Sequence, residues 1–380
     1  MTDLDTRAPR KLDRATLGPT LVEERVRARH LPGWIYTAEE VFAREAERIF
    51  LRQWLVVGRV EELERPGDYL TIDVVGEPVV VARDLEGALS AFSNVCRHRG
   101  ARVVGGRGNA RLFSCPYHGW VYDLSGRLQR TTAMEDVEEF DFASCRLPRV
   151  SVDTWAGWIF VNLAADAAPL AQHVEEFAAR LGHFRQQDCR LSNTLVIEAP
   201  VNWKLIVENF IDVYHFRFVH AGSFGRQGNP ALTLPYDSGD TIVFRPGGRP
   251  LTPTGESLFG PMPWLKEDDA SAAGLMLPNA YFTFHHDNVQ LWMTHPLGVA
   301  RSRIVIYTLF PAAHFARADF AERSAVYHRF VEQILREDID MVTHLQQSLS
   351  SRHFRPGPIG SLETGVHTAI HRLLEPILEA

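Results

Sequence analysis

Two short segments each pair a thiol with an imidazole. CRHRG sets Cys96 and His98 with one residue between them, and CPYHGW sets Cys115 and His118 with two between them. Both fall where short strand-like runs give way to loops. Two soft thiolates suit one iron of a two-iron cluster, and two neutral imidazoles suit the other. Replacing thiolates by imidazoles removes negative charge and raises the reduction potential above that of a four-cysteine cluster. Gly100, Pro116 and Gly119 fit tight loops that bring backbone N–H groups toward the sulfurs. A mononuclear zinc site with two cysteines and two histidines is the alternative, although zinc sites usually pair like ligands in close succession. Coincidence between buried cysteines is the blander one. Cys145 and Cys189 match neither segment and read as small buried residues.

A second set of residues lies in NWKLIVENFIDVYHFRFVH, residues 202–220. On a helix Asn209, Asp212 and His215 share a face. His220 lies about 140° further round from His215. The two histidines can meet on one metal only if the helix ends or distorts, and the expected place is between Phe216 and His220. Taken alone, the pair leaves open both a metal site and an incidental histidine beside a buried Tyr-His pair. A carboxylate comes from the late segment ADFAERSAVYHRFVEQILREDIDMVTHLQQSL. Phe330, Val331, Ile334, Leu335, Met341, Val342 and Leu345 form its apolar stripe, with Asp338 at the centre. A buried carboxylate is costly unless a metal or a cation compensates it. Two histidines and one carboxylate on a metal leave positions open for O₂ and substrate. A buried salt bridge from Asp338 to an arginine or histidine is the alternative. Glu337, at the edge of the stripe, and Asp340 read as solvated helix charges.

These residues need elements to position them. TAEEVFAREAERIFLRQW reads as a helix, with Thr37 and Glu40 spaced as a capping box. From about residue 54 to 163, short β-branched or aromatic runs punctuated by Gly, Pro and Asp predict an all-β sandwich or small barrel. DLEGALS and LSGRL read as hairpin turns. Beyond about residue 168 the texture is mixed. AQHVEEFAARLGHF reads as helix, RLSNTLVIEAPV, AYFTFHHDNVQLWMTHP and SRIVIYTLFPA as strands, and VHTAIHRLLEPIL as a final helix. Residues 222–274 read as long loops with short strands. The fold class is therefore α+β. The expected division is a helical segment at 1–45 packing on the last domain, an all-β domain at 46–165 and a mixed domain at 166–380.

The bulk properties bound the function. The 380 residues are 45% hydrophobic and 23% charged, with a net charge of −7. That composition fits an ordinary globular protein and supplies no basic surplus for nucleic acid. No apolar run is long enough to span a bilayer, and the first residues lack the apolar core of a secretory signal, so a cytoplasmic location is expected. The glycine-rich GGRGNA, 105–110, does not join a strand to a helix and reads as a surface loop, not a dinucleotide site. Electrons must then come from another protein.

Together, CRH…CPYHGW, NWK, ENF, DVYH with a histidine five further on, and RED in a late helix resemble the large (α) subunit of Rieske non-haem iron ring-hydroxylating oxygenases, over roughly residues 45–350. The resemblance implies a Rieske domain with a [2Fe–2S] cluster on Cys96, His98, Cys115 and His118. It implies a helix-grip catalytic domain, an antiparallel sheet with helices, holding a mononuclear Fe(II) on His215, His220 and Asp338. Asp212 would bridge a cluster histidine of one subunit to an iron histidine of the next, which implies a homotrimer. Asn209 would support the iron site. A separate flavin- and NAD(P)H-dependent reductase, with or without a ferredoxin, would supply electrons. The short stretch between His220 and Asp338 resembles the compact α-only members. The implied activity is O₂-dependent hydroxylation, dihydroxylation or oxidative demethylation of a small organic substrate, an aromatic compound being favoured and a quaternary or N-methylated amine the alternative. An electron carrier using the cluster alone, or a non-catalytic binding module, are readings from other classes. Phe210, Phe218, Phe224, Leu277, Tyr281, Phe284, Trp292 and Tyr307 are candidates for the pocket wall, each equally suited to core packing.

Overall fold

A computed structural model describes residues 11–225, 237–238, 242–266, 269 and 271–378. The chain divides into two compact units, Phe50–His173 and a second unit formed by Met1–Ile49 with Val174–Ala380.

The Phe50–His173 unit is all-β. A seven-stranded antiparallel sheet contains β1 (Leu55–Arg59), β2 (Asp68–Val74), β3 (Glu77–Arg83), β4 (Leu89–Ser93), β5 (Arg107–Asn109), and, after a smaller sheet, β9 (Arg149–Trp155) and β10 (Trp158–Asn162). The smaller sheet has three strands: β6 (Leu112–Ser114), β7 (Val121–Asp123) and β8 (Leu128–Arg130). Both expected hairpins form: β3 turns into β4 through DLEGALS, and β7 into β8 through LSGRL. GGRGNA ends in the edge strand β5, paired with β2, and not wholly in a loop. Val80, Phe92, Phe113, Trp120 and Tyr122 pack in one core with Cys96 and Cys115. The two thiols are therefore presented from a rigid apolar base, while the loops that carry them reach outward.

In the second unit the N-terminal residues form α1 (Trp34–Thr37) and α2 (Glu39–Glu45), which runs into a π-turn at Ala46–Phe50. The expected capping box is absent. Ala38 is the extended residue that starts α2, and the Thr37 hydroxyl instead donates to Gly33 O at 3.2 Å in the preceding turn. From Val174 onward α3 (Leu170–Leu181) sets Phe177 against Phe282 and Phe284. A seven-stranded antiparallel sheet follows: β11 (Cys189–Ala199), β12 (Asp237–Ser238), β13 (Ile242–Pro246), β14 (Ala272–Met276), β15 (Ala280–Phe284), β16 (Val289–Gly298) and β17 (Arg301–Pro311), in the order β11-β17-β16-β15-β14-β13-β12. The helices are α4 (Trp203–Ile211), α5 (Phe216–Val219), α6 (Phe320–Leu349) and α7 (Thr364–Leu374).

The start of α4 is fixed by buried polar pairs. Asn202 accepts the Lys204 N–H at 3.0 Å and donates to Tyr36 O and Val299 O. The Trp203 indole and the Lys204 ammonium both donate to Glu45, at 2.7 and 2.5 Å. Buried charges are tolerated when paired and hydrogen-bonded in this way. NWK thus sets the entry of the helix that leads to the histidines. Among the described residues no helix is long and apolar enough to cross a membrane.

Candidate metal centres

The two thiol–imidazole loops are conformational twins. Cys96 N–H donates to Ala101 O at 2.8 Å and Gly100 N–H to Cys96 O at 2.9 Å; Cys115 N–H donates to Trp120 O at 2.8 Å and Gly119 N–H to Cys115 O at 3.0 Å. Gly100 and Gly119 close the two turns at φ +76° and +70°, where a side chain would be strained. Cys96 and Cys115 are buried and free of disulfides. The loops bring His98 Nδ1 to 3.1 Å from His118 Nδ1. Two nitrogens on one metal at ~2.1 Å are about 3.0 Å apart at right angles and about 3.4 Å at the tetrahedral angle. The imidazole pair therefore fits one iron. His98 stacks on Trp120, with ring centres 4.9 Å apart.

Sequence reasoning passed over Tyr122. Its hydroxyl lies 3.3 Å from Cys96 Sγ and accepts the Arg97 N–H at 3.1 Å. Burial holds that hydroxyl protonated far above its usual range. It is thus a fixed donor toward a thiolate, and such donors raise a cluster's potential. Cys145 is half-buried beside this core, and Cys189 is buried in the other unit.

The second centre arises where α4 stops. The break falls at Asp212–Tyr214, earlier than the expected distortion between Phe216 and His220. Asp212 turns extended (φ −70°, ψ 131°), and its carboxylate accepts the Tyr214 N–H at 2.7 Å. His215 then begins the single turn α5 and His220 ends it. A five-residue spacing across one short turn brings the rings together where a continuous helix would part them. His215 Nε2 is 3.2 Å from His220 Nε2, and Asp338 Oδ1 is 3.4 and 3.0 Å from these two atoms. Those separations match three ligands on one face of an octahedral metal, whose ~2.1 Å bonds at right angles put neighbours about 3.0 Å apart. The three atoms form a group able to hold a metal ion, and Asp338 Oδ1 is buried without a hydrogen bond of good geometry.

The outer nitrogens are held as well. The His215 Nδ1–H donates to Asp212 Oδ2 at 2.9 Å, and the His220 Nδ1–H donates to Glu337 Oε2 at 2.8 Å. This tautomer aims both Nε2 lone pairs inward, the arrangement that carboxylates behind ligating histidines impose at metal sites. Glu337 also accepts from the Ser223 hydroxyl. It is therefore a partner of the site and not the free surface charge its place at the stripe's edge suggests. The missed signal was the helical step from 338 to 337 beside His220. Burial lowers the His215 pKa, but the Asp212 and Asp338 carboxylates outweigh it and raise it to about 9. Burial raises Asp338, but the two imidazoles outweigh it and hold it at about 2. Met341 and Leu345, assigned to the buried stripe, are 40% and 47% exposed.

A cavity enclosing about 720 Å³, part of it open solvent, adjoins His215, His220 and Asp338. Asn209, Phe210, Phe224, Tyr281 and Trp292 line it. Of the other expected wall residues, Phe218 is 75% exposed, Phe284 stacks on Phe184, and Leu277 and Tyr307 are buried outside that wall. Gly247, Gly248, Arg249 and Leu251, from the loop-rich middle segment, add a further edge.

A two-loop Cys/His unit on an all-β base, joined in sequence to an antiparallel sheet carrying a two-histidine, one-carboxylate centre, defines an iron–sulfur, non-haem iron protein. Residues 53–141 match the family model "Rieske [2Fe-2S] domain", and residues 186–377 match "Ring hydroxylating alpha subunit (catalytic domain)". The chain belongs to the ring-hydroxylating α-subunit family, whose cofactors are a Rieske [2Fe–2S] cluster and a mononuclear iron. It is 37% identical over 194 residues to the carnitine monooxygenase oxygenase subunit of Acinetobacter pittii, covering 50% of this chain and 52% of that protein. It is 35% identical over 217 residues to the benzene 1,2-dioxygenase subunit alpha of Pseudomonas putida, covering 53% of this chain and 46% of that protein. The chain thus spans about half the length of the curated relatives it matches. A solved quaternary ammonium Rieske monooxygenase superposes with a TM-score of 0.82 at 25% identity, covering 97% of this chain and 100% of that one.

Proposed function

We propose that this chain is the oxygenase component of a Rieske-type system that uses O₂ and electrons from a separate flavin- and NAD(P)H-dependent reductase, with or without a ferredoxin, to oxidise a C–H bond of a small quaternary or N-methylated amine. The observation that carries the reading is the buried His215, His220, Asp338 trio opening on an aromatic-walled cavity. The aromatic residues Phe210, Tyr281 and Trp292 in its lining suit an alkylammonium group through cation–π attraction. The relatedness to a carnitine monooxygenase subunit favours the same substrate class. The benzene dioxygenase relative supports an aromatic substrate as a second reading, since the same rings stack on a planar ligand.

In this reading Cys96, His98, Cys115 and His118 hold the cluster, and His215, His220 and Asp338 hold the iron. When bound, these groups supply electron storage and O₂ activation. The protein's own residues do the rest. Asp212 fixes the His215 ring and forms the polar link toward a cluster. Glu337 fixes His220. Asn209 borders the ligands and supports their geometry. The aromatic wall would turn the substrate's methyl groups toward His215, His220 and Asp338. The cluster histidines lie partly or fully exposed in one unit, and exposed Tyr214 and Phe218 flank the Asp212–His215 turn in the other. Those surfaces suit docking of a second copy, so a homotrimer passing electrons between subunits is part of the proposal, as is a cytoplasmic location.

Iron and acid-labile sulfide analysis, followed by NADH and O₂ uptake with a surrogate reductase, tests the reading. About three irons and two sulfides per chain with substrate-dependent uptake is the expected result. Two irons and no uptake would leave only an electron carrier.

A further inference from the structure

Among the lining residues of the iron-side cavity is one arginine, Arg249, which the proposed oxygenase roles leave unused. Arg249 lines the cavity beside an otherwise largely aromatic and aliphatic surface, and its side chain is exposed where that wall meets solvent. Among the described residues it has neither an ion-pair nor a hydrogen-bond partner. Some exposed arginines are paired, Arg303 with Glu198 and Arg336 with Glu332, while others among the described residues, such as Arg111, Arg130 and Arg217, are not; Arg249 is set apart by facing the cavity.

The backbone beneath Arg249 is built in. Gly247 N–H donates to Ser271 O at 2.7 Å, and a Cβ placed on Gly247 would lie 2.5 Å from Ala272 N. Only glycine lets the chain press this closely on the start of β14. The far end of the segment is held too, with Thr252 N–H donating to Pro250 O and the Thr252 hydroxyl to Glu256 O, both at 2.8 Å. Leu251 from the same segment lines the cavity. The guanidinium is thus carried on a backbone pinned to the catalytic sheet.

We infer that Arg249 is the anion-recognising group of this cavity, and that the substrate is a small carboxylic acid. Its carboxylate would lie at the guanidinium and its oxidisable end at the iron ligands. A guanidinium fork matches a carboxylate with two parallel N–H···O bonds, which fixes orientation as well as affinity. The aromatic wall accepts either an alkylammonium or a ring at the other end, so the inference rests on the oxygenase reading but not on which of these is oxidised. A substrate held at both ends would present one carbon to the iron, which is what regioselective oxidation requires.

The test uses the protein with both metal centres loaded and isothermal titration calorimetry. The probes are glycine betaine, γ-butyrobetaine and benzoate, each against its own methyl ester. At least one acid should bind about tenfold or more tightly than its ester, the scale of one charge-assisted contact at a partly solvated site. Arg249→Gln should erase that preference while iron and sulfide content stay unchanged, and Arg249→Lys should restore part of it. Equal binding of acids and esters, survival of the preference in Arg249→Gln, or no binding by any acid overturns the inference. O₂ uptake stimulated by an ester would then leave the oxygenase reading standing. Lack of the mononuclear iron would instead sink that reading.

Discussion

At the scale of single residues, two of the three inward atoms are fixed by outward partners, His215 through Asp212 and His220 through Glu337. Asp338→Ala removes one of the three side chains proposed to hold the iron. It should cost the mononuclear iron and at least about a thousandfold in turnover, while the cluster's two irons and two sulfides remain; metal analysis and the cluster's visible spectrum check this. Glu337→Gln leaves the ligands in place but weakens the hold on the His220 tautomer. Iron affinity should fall about 10- to 100-fold in a chelator competition, and unchanged affinity would return Glu337 to the status of a surface charge. A third residue, Glu208, sits one helical turn before Asp212. Both its carboxylate oxygens accept the Tyr36 hydroxyl at 2.9 Å, and burial pushes its pKa from 4.5 up to about 7. An acid held above its unfolded value binds a proton on folding, so its contribution is present below the unfolded pKa and is lost as pH rises through the folded one. Glu208→Gln, which stays neutral, should therefore gain stability relative to the natural protein as pH rises from about 4.5 to about 7. Thermal melts across that window check the sign, and a relative loss would contradict it.

At the scale of elements, the decisive feature is the break between α4 and α5. Helix α4 is anchored by Asn202, Trp203 and Lys204, then released at Asp212, whose carboxylate both caps the next turn and holds His215. The turn after α5 is equally tight. Gly225 N–H donates to His220 O at 2.8 Å, and a Cβ there would lie 2.2 Å from Phe216 O and 2.8 Å from His220 O. Gly225→Ala must push this backbone apart. The expected cost is about 1–3 kcal/mol, as for other overpacked sites, with weaker iron binding because His220 moves. Denaturant melts and iron titration on the same sample check both halves. A variant with native stability and iron affinity would show that the turn can relax without disturbing the ligand.

At the scale of the whole molecule, exposed apolar residues are informative when they cluster at a functional edge. Tyr214 and Phe218 are 53% and 75% exposed beside the ligand turn, and Tyr117 is 55% exposed next to His118. The proposed homotrimer predicts that Phe218→Glu lowers the assembly mass in sedimentation and cuts reductase-driven turnover at least tenfold, while each subunit keeps its iron and sulfide. Loss of turnover without a change of mass would place the effect inside the subunit.

The sequence by itself determined which residues could do chemistry. Cys96, His98, Cys115 and His118 were legible because two mixed pairs at close spacing have few other uses, and Asp338 because a lone carboxylate in an apolar stripe is energetically conspicuous. The hairpins and the long helix α6 were legible for the same reason: local turn residues and periodicity dictate them. Tertiary structure decided what depends on partners distant in sequence. It placed the helix break at Asp212 and not after Phe216, because the capping carboxylate and the anchored start of α4 outweigh helical periodicity. It brought Glu337 under His220, which its step from Asp338 only hints at, and Tyr122 under Cys96 and Arg249 to the cavity, which no spacing rule reaches. Spacing encodes only neighbours along the chain, whereas a site is closed by contacts between chain segments more than a hundred residues apart, such as His220 with Asp338.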